Sequence, residues 1–335
     1  MKLVRFIGNV LTLIAILYLV AAAGLFLSAL IVDSGLAGVL RNFLITGLLA
    51  SPLLFLLMLL LRRWRIALAM VPLVVGLILL YAPLFVPRGE SGTSANAVDL
   101  TVLTFNLGSA VDSLDSLVGI IEEADADVVA LQELSVSAAD YFEIALADHY
   151  PHRALHPQDN PIQGQGVLSI YPIESDTFWI NEELEKPLGH MRVELALDEQ
   201  TVVLYNTHPT PPFSIEWGLN TDSHSADIEE LLRRASAETL PVLLAGDFNF
   251  SNQFAEYDRI LYEEGYTDAF REAGTIGFGF TYPDSGGLPV PFMRLDYLFR
   301  DEHFQTREAH VWPRSGISDH QPTFARFVLA DPPQP

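Results

Sequence analysis

Eight polar residues, each beside an apolar run, carry the chemistry that this sequence can do. Asn106 closes LTFN, Glu133 closes ALQE and His208 closes LYNTH; Asp247 and Asn249 end LLAGDFN; Asp296 interrupts RLDYLF; Asp319 and His320 form SDH before the apolar run TFARFVLA. Alternate side chains of a strand share a face, so Asp247 and Asn249 are expected to point into one cleft while Phe248 points away into packing. Carboxylates and amides are hard oxygen donors suited to Mg2+, Mn2+ or Ca2+, and the imidazoles can pass protons or bind zinc. Singly, each residue also fits a structural role: Asn as a turn former, Glu as a cap, His as a packed polar group. Together they describe a site assembled from strand ends.

The surrounding pattern supplies those strand ends. VDLTVLTFNLG (98–108) reads as a buried strand, 113–124 as an amphipathic helix, 127–134 as a strand and 136–150 as a second helix. GVLSIYPI, HMRVELAL and TVVLYNTH follow as three strands, then a helix near 224–237, the strand PVLLAGDFN, a short helix near 253–264, and the strands RLDYLFR and TFARFVLA. Strands outnumber helices and helices lie between some of them, which predicts an α/β layered sandwich over residues 98–330. No repeat of 20–50 residues is present.

In this order the blocks resemble the endonuclease/exonuclease/phosphatase superfamily, the metal-dependent phosphoesterases related to pancreatic deoxyribonuclease, across about residues 98–328. TFNLG, LQEL, NTHPTPP, GDFN, RLDYLF and SDHQP carry the resemblance, and GQGVLSIYPI is similar to a block that usually reads Leu-Ser-Arg. Ile170 stands where that basic residue is common. The resemblance implies a four-layered α/β sandwich and a Mg2+-dependent phosphoesterase, with Mn2+ or Ca2+ as alternatives. It implies Asn106, Glu133 and Asp319 as metal ligands and His208, Asp247, Asn249, Asp296 and His320 as catalytic residues. Either Asp247, or His320 oriented by Asp296, would deprotonate the attacking water, while Asn249 and His208 would hydrogen-bond the phosphoryl oxygens. Direct displacement by water is the expected route, because the chain has no cysteine and no serine in a nucleophile elbow.

The amino-terminal quarter belongs to another solvent. Residues 6–32, 40–61 and 66–86 are nearly continuous apolar runs, each about long enough to cross the roughly 30 Å hydrocarbon layer. Residues 1–87 are therefore expected to be a membrane anchor of three transmembrane helices, followed by a polar linker at 88–97; the alternatives are a cleaved signal peptide before a buried hairpin, or two spans and an interfacial helix. Lys2 and Arg5 flank the first run and Arg62, Arg63 and Arg65 crowd between the second and third. Positive flanks stay in the cytoplasm, which places the amino terminus inside and the catalytic domain outside the cell membrane.

Charge and tether narrow the partners. Of the 19 basic and 42 acidic residues, 7 and 1 precede residue 89, leaving 12 basic against 41 acidic beyond it. Such a field disfavours strong nucleic-acid binding. A linker of roughly ten residues reaches at most about 35 Å, which favours a lipid head group or small phosphoester as substrate. Phe213, Trp217, Phe278 and Phe280 are aromatic candidates for the cleft rim or a bilayer surface, or simply loop packing. A nuclease acting on external DNA or RNA and a catalytically inactive binding module are the rival readings. The apolar runs contain no interior charged pair to mark a transport path.

Overall fold

The computed structural model describes residues 2–31, 35–86, 98–197, 200–215, 218–284 and 290–329, and divides after Val86 into two compact units. The linker at 88–97 and Trp217 lie outside the described residues.

The first unit is helical: α1 (Lys2–Ile31), α2 (Gly35–Arg41), α3 (Leu44–Leu49), α4 (Ser51–Leu60) and α5 (Trp64–Tyr81), the last followed by a 3-10 turn at Ala82–Phe85. Two stretches, Lys2–Ser28 of 27 residues and Trp64–Phe85 of 22, are long and apolar enough to cross a membrane. The middle one of the three expected spans is not: Leu44–Leu60 has 17 residues. At 1.5 Å per residue that is about 26 Å, against a layer of roughly 30 Å. It is also divided at Ala50, where Pro52 in the first turn of α4 starts a new helix. Ala15, Met58, Ala67 and Met70 pack inward, whereas Leu53, Leu60, Leu68 and Leu79 face outward.

The second unit holds two six-stranded sheets. One comprises β1 (Val98–Asn106), β2 (Val128–Gln132), β3 (His152–His156), β4 (Gln165–Ser169), β13 (Phe304–Val311) and β14 (Thr323–Leu329), in the order β13-β14-β1-β2-β4-β3. The other comprises β5 (Ile173–Ile180), β6 (Gly189–Leu197), β7 (Gln200–Thr207), β10 (Val242–Asp247), β11 (Thr267–Asp268) and β12 (Asp296–Arg300), in the order β11-β12-β10-β7-β6-β5. GVLSIYPI, expected as one strand, ends β4 and begins β5, so the chain changes sheets at Ile170–Pro172. A small ribbon, β8 (Phe213–Ser214) with β9 (Gly218–Leu219), stands apart from both.

Alternation along the strands explains the layering. Val102, Val128, Ala130 and Val167 of the first sheet meet Met191, Val193, Leu204, Leu243 and Ala245 of the second in one buried core. The odd-numbered neighbours Leu103, Phe105, Val129 and Leu131 face the other way. There they pack under α6 (Asp115–Ala124) and α7 (Val136–Ala145) through Leu117, Ile121, Ala138 and Phe142. The remaining helices are α8 (Thr221–Ala235), α9 (Ala255–Tyr262) and α10 (Ala269–Glu272).

A polar seam crosses this apolar core near the strand ends. Gln132 Nε2 donates to Asn206 Oδ1 at 2.6 Å and to Thr104 Oγ1 at 3.0 Å, and Asn206 Nδ2 donates to the carbonyls of Leu131 at 2.8 Å and Gly166 at 2.9 Å. Both side chains are fully buried. Satisfied buried amides of this kind cost little, but they penalise any slip of one sheet against the other. That fixed register matters because the next residues along these strands belong to the site.

Candidate active site

The strand ends of both sheets converge on one cluster. Asn106 ends β1, Glu133 follows β2, His208 follows β7, Asp247 ends β10, Asp296 begins β12, and Asp319 and His320 lie just before β14. Asn106 and Asp296 are 0% exposed, Asp247 1%, His208 3% and His320 5%, whereas Glu133 and Asn249 are half-buried and Asp319 is exposed. The cluster therefore opens to solvent at Asp319.

Asn249 does not arrive by strand alternation as its spacing predicts. β10 stops at Asp247, and Asn249 takes a left-handed backbone with φ 55°. Its N–H donates to Asp247 Oδ1 at 2.8 Å, a tight Asx turn, and its Nδ2 donates to the Pro209 carbonyl at 2.9 Å. Phe248 does turn away, into the rings of Phe250, Tyr297 and Phe299. Glu133 and Ser109 share the left-handed region, each with φ 55°. Such backbone is uncommon outside glycine and persists where surrounding contacts hold it.

Hydrogen bonds tie the members together. Asn106 Nδ2 bridges Glu133 Oε1 at 3.1 Å and Asp247 Oδ2 at 3.0 Å, while its Oδ1 accepts from the Gly108 N–H at 2.9 Å. His208 Nδ1 lies 3.2 Å from the Ile162 carbonyl, which leaves Nε2 facing Asp247 at 3.4 Å and Glu133 at 3.9 Å. His320 Nδ1 is 2.9 Å from Asp296 Oδ2, and its Nε2 is 3.6 Å from Asp247 Oδ2. Among the described residues, the donor atoms of Asp247, Asp296 and His320 all fall within 4.8 Å of one another.

Two residues outside the eight hold this arrangement. Ser109 Oγ donates to Glu133 Oε2 at 2.5 Å, and Ser318 Oγ donates to the Asn106 carbonyl at 2.7 Å while accepting from the His320 N–H at 3.0 Å. Ser318 is visible in sequence as the first letter of SDH, but serine beside a turn carries no signal of its own. Tyr282 is a third neighbour, its ring 4.7 Å from that of His320.

The electrostatics separate the groups. Burial opposes charge on Asp247, yet His320, His208 and the Asn249 N–H hold its pKa down to about 2. Burial likewise opposes charge on His320, but Asp296 and Asp247 push its pKa up to about 10. His208 is raised too, by Asp247 and Glu133 against its burial. At neutral pH Asp247 is thus a carboxylate facing the His320 imidazolium, with His208 shifted toward its charged form on the other side.

The donor set fits a hard divalent cation. Four carboxyl groups, from Glu133, Asp247, Asp296 and Asp319, gather around two imidazoles, and Glu133 and Asp319 lie toward the open end. Gly108 lets the Asp319 carboxylate approach the backbone closely: a Cβ there would sit 3.0 Å from Asp319 Oδ1. Oxygen donors without thiolate suit Mg2+, Mn2+ or Ca2+.

Comparison with known proteins agrees with this geometry. The family model described as Endonuclease/Exonuclease/phosphatase family matches residues 103–320. No curated protein matches the chain. Among solved structures, the endonuclease/exonuclease/phosphatase from Beutenbergia cavernae is 20% identical with a TM-score of 0.56, covering 70% of this chain and 72% of its own. The one from Bacteroides vulgatus is 16% identical with a TM-score of 0.56, covering 69% and 99%. A humanized D. rerio TDP2 is 16% identical with a TM-score of 0.55, covering 68% and 98%. At such identities the likeness concerns the fold. The matched span runs from within β1 to His320 and encloses all eight polar residues, and on it the chain belongs to the endonuclease/exonuclease/phosphatase family.

Proposed function

We propose that this protein is a membrane-anchored, outward-facing phosphoesterase that depends on a divalent metal, with a lipid head group or small phosphoester as substrate. The observation that carries the reading is the Asn106–Glu133–Asp247–His208–His320–Asp296 cluster, drawn from both sheets and joined by hydrogen bonds. We read the two sheets and their outer helices as the four-layered sandwich of the deoxyribonuclease-like fold.

Glu133 and Asp319 would hold the cation, with Asn106 fixing the Glu133 carboxylate between the metal side and Asp247. When bound, Mg2+ neutralises charge on the phosphoryl oxygens as a Lewis acid. Asp247, facing both histidines, would take the proton of the attacking water as its oxygen bonds phosphorus and the bond to the leaving oxygen breaks. His208 through Nε2–H and the protonated His320 would donate to the phosphoryl oxygens as charge develops, joined by the second Nδ2 hydrogen of Asn249. Asp296 keeps the His320 ring turned toward Asp247.

The membrane part of the reading rests on the two long apolar stretches and on the basic flanks. Lys2 and Arg5 on one side and Arg62, Arg63 and Arg65 on the other are both cytoplasmic only if Leu44–Leu60 returns across the bilayer between them. A 17-residue crossing does so by locally thinning the layer or by snorkelling of its flanks. Outside, the β8–β9 ribbon just after His208 exposes Phe213 at 44%, Ile215 at 99% and Leu219 at 52%, apolar surface suited to a lipid interface.

The test is hydrolysis by the purified full chain in detergent, and by Asp247→Ala. Substrates are bis(p-nitrophenyl) phosphate, p-nitrophenyl phosphate, phosphatidylcholine vesicles and plasmid DNA, with Mg2+ or with chelator. Metal-dependent turnover that falls by several orders of magnitude in the variant supports the reading, and preference for plasmid DNA replaces it with a nuclease. No turnover on any substrate by folded protein leaves a binding module.

A further inference from the structure

The turn that carries His208 has an unusual shortage of backbone donors. Its sequence is His208-Pro209-Thr210-Pro211-Pro212, so three of the five residues have no N–H. Within 209–212, Thr210 owns the only amide. A buried carboxylate on α8 takes it: Asp227 Oδ2 accepts from the Thr210 N–H at 2.9 Å, and the Thr210 hydroxyl lies 3.2 Å from both that oxygen and the Lys186 carbonyl.

Asp227 is itself held on its other side. Its Oδ1 is 2.9 Å from His190 Nε2 and accepts from Asn181 Nδ2 at 2.5 Å. His190 Nδ1 then lies 2.7 Å from Thr207 Oγ1, at the residue before His208. Asp227 and His190 are both 0% exposed. His224, also on α8, approaches the Thr210 carbonyl with Nδ1 at 2.7 Å, and Asn249 of the active site holds the Pro209 carbonyl. The segment from Thr207 to Thr210 is thus gripped at consecutive groups from α8 and β6 on one side and from the active-site Asn249 on the other.

We propose that Asp227 is a positioning residue for the phosphoesterase reaction, acting through the Thr210 amide to hold His208 and Asn249 in their working geometry. This rests on the functional reading above. A buried carboxylate that accepts from the Thr210 N–H on one oxygen and from Asn181 Nδ2 on the other cannot be replaced by an amide without setting an N–H2 group against one of them. Asp227→Asn keeps volume and shape but loosens the turn. A misplacement on the order of 1 Å at a catalytic group costs about 100-fold in rate.

The test uses the full chain in detergent with bis(p-nitrophenyl) phosphate and Mg2+. Asp227→Asn is expected to lower kcat by about 10- to 100-fold with KM within about threefold, and the Asp227→Asn/His208→Ala double variant to lose about as much as the larger single variant rather than their product. Hydrogen exchange over residues 206–213, followed by mass spectrometry, is read independently of turnover. It is expected to accelerate in Asp227→Asn while the β10 and β12 segments stay protected. An unchanged kcat, or multiplying losses, overturns the proposal while leaving the phosphoesterase standing. Should the wild type turn over nothing, the functional reading fails, and unaltered exchange at 206–213 would separately refute the grip on the turn.

Discussion

Asp247 and Asp296 stand directly opposite one another on the antiparallel pair β10–β12, and His320 reaches both, with Nδ1 2.9 Å from Asp296 and Nε2 3.6 Å from Asp247. Two buried carboxylates in register on neighbouring strands repel unless a cation lies between them. The His320 imidazolium does that, and the same geometry gives the two aspartates different surroundings. Asp247 sits among Asn106, His208 and Asn249, whereas Asp296 has one oxygen on His320 and its N–H 3.4 Å from the Thr281 hydroxyl.

Asp296→Asn tests that division. The amide still meets His320 Nδ1 but no longer favours the charged ring, so turnover is expected to fall by about 10- to 100-fold, less than the several orders expected for Asp247→Ala. Initial rates at saturating Mg2+ compare the two. Equal losses would mean that the aspartates share one role.

Stability against pH follows from the same groups. The folded pKa of His320, about 10, lies above its ordinary 6.5, and His208 is shifted the same way. A raised pKa gives stability that is complete below about 6.5 and lost as pH climbs through the folded value. Asp247, at about 2 against an ordinary 3.8, gives stability present above 3.8 and lost as pH falls toward 2. The metal-free protein is therefore expected to lose thermal stability steadily between about pH 7 and 10, and His320→Gln to flatten that limb. Near-ultraviolet circular dichroism melts in chelator measure it; an identical alkaline slope in the variant would contradict the raised pKa.

Metal binding separates Glu133 and Asp319 from the acid–base group. A ligand that binds only the folded state stabilises it by about 2.7 kcal/mol at a hundredfold excess over Kd. Mg2+ is expected to raise the melting temperature of the wild type and of Asp296→Asn, and to do so much less for Glu133→Gln and Asp319→Asn. A full Mg2+ shift in Glu133→Gln would remove that residue from the metal site.

Much of this architecture was legible because central strands are apolar. β1, β2, β6, β7, β10, β12 and β14 all read as strands, each buried for most of its length. The strands that the sequence hid are edges: β3 (HRALH) and β13 (FQTREAHV) flank the first sheet and β5 (IESDTFWI) the second. Edge strands carry charge on their open side, which erases the alternating pattern and discourages pairing with other chains. The eight candidate residues were visible as polar side chains beside apolar runs, and the structure places them at or next to strand ends. Their contacts were not, because the left-handed turns at Glu133 and Asn249 depend on tertiary hydrogen bonds rather than on local spacing.

Gly246 ties fold to site. Its φ is 148°, and a Cβ would come within 1.9 Å of the Thr207 carbonyl oxygen on β7, one residue before His208. Backbone-to-backbone conflict cannot be relieved by rotating a side chain, and the strained φ alone costs about 1–3 kcal/mol. Gly246→Ala is expected to lower stability by roughly 3 kcal/mol or more and to depress turnover by parting β7 from β10. Denaturant melts that match the wild type would show that the two strands have room to separate.

The ribbon after His208 decides between a lipid and a soluble phosphoester. Ile215 at its tip is 99% exposed, so a charge there disturbs no packing within the domain. On a lipid surface the same charge is costly, since burying a branched aliphatic side chain is worth about 1.5–3 kcal/mol and an ionised carboxylate resists leaving water. Ile215→Glu in the full chain is therefore expected to cut turnover of phosphatidylcholine vesicles by about tenfold while leaving bis(p-nitrophenyl) phosphate hydrolysis within about twofold. Separate assays on the two substrates, at equal Mg2+, read the ratio. A parallel fall on both would make the ribbon a support for His208, and no change on either would direct the search toward small, freely diffusing phosphoesters.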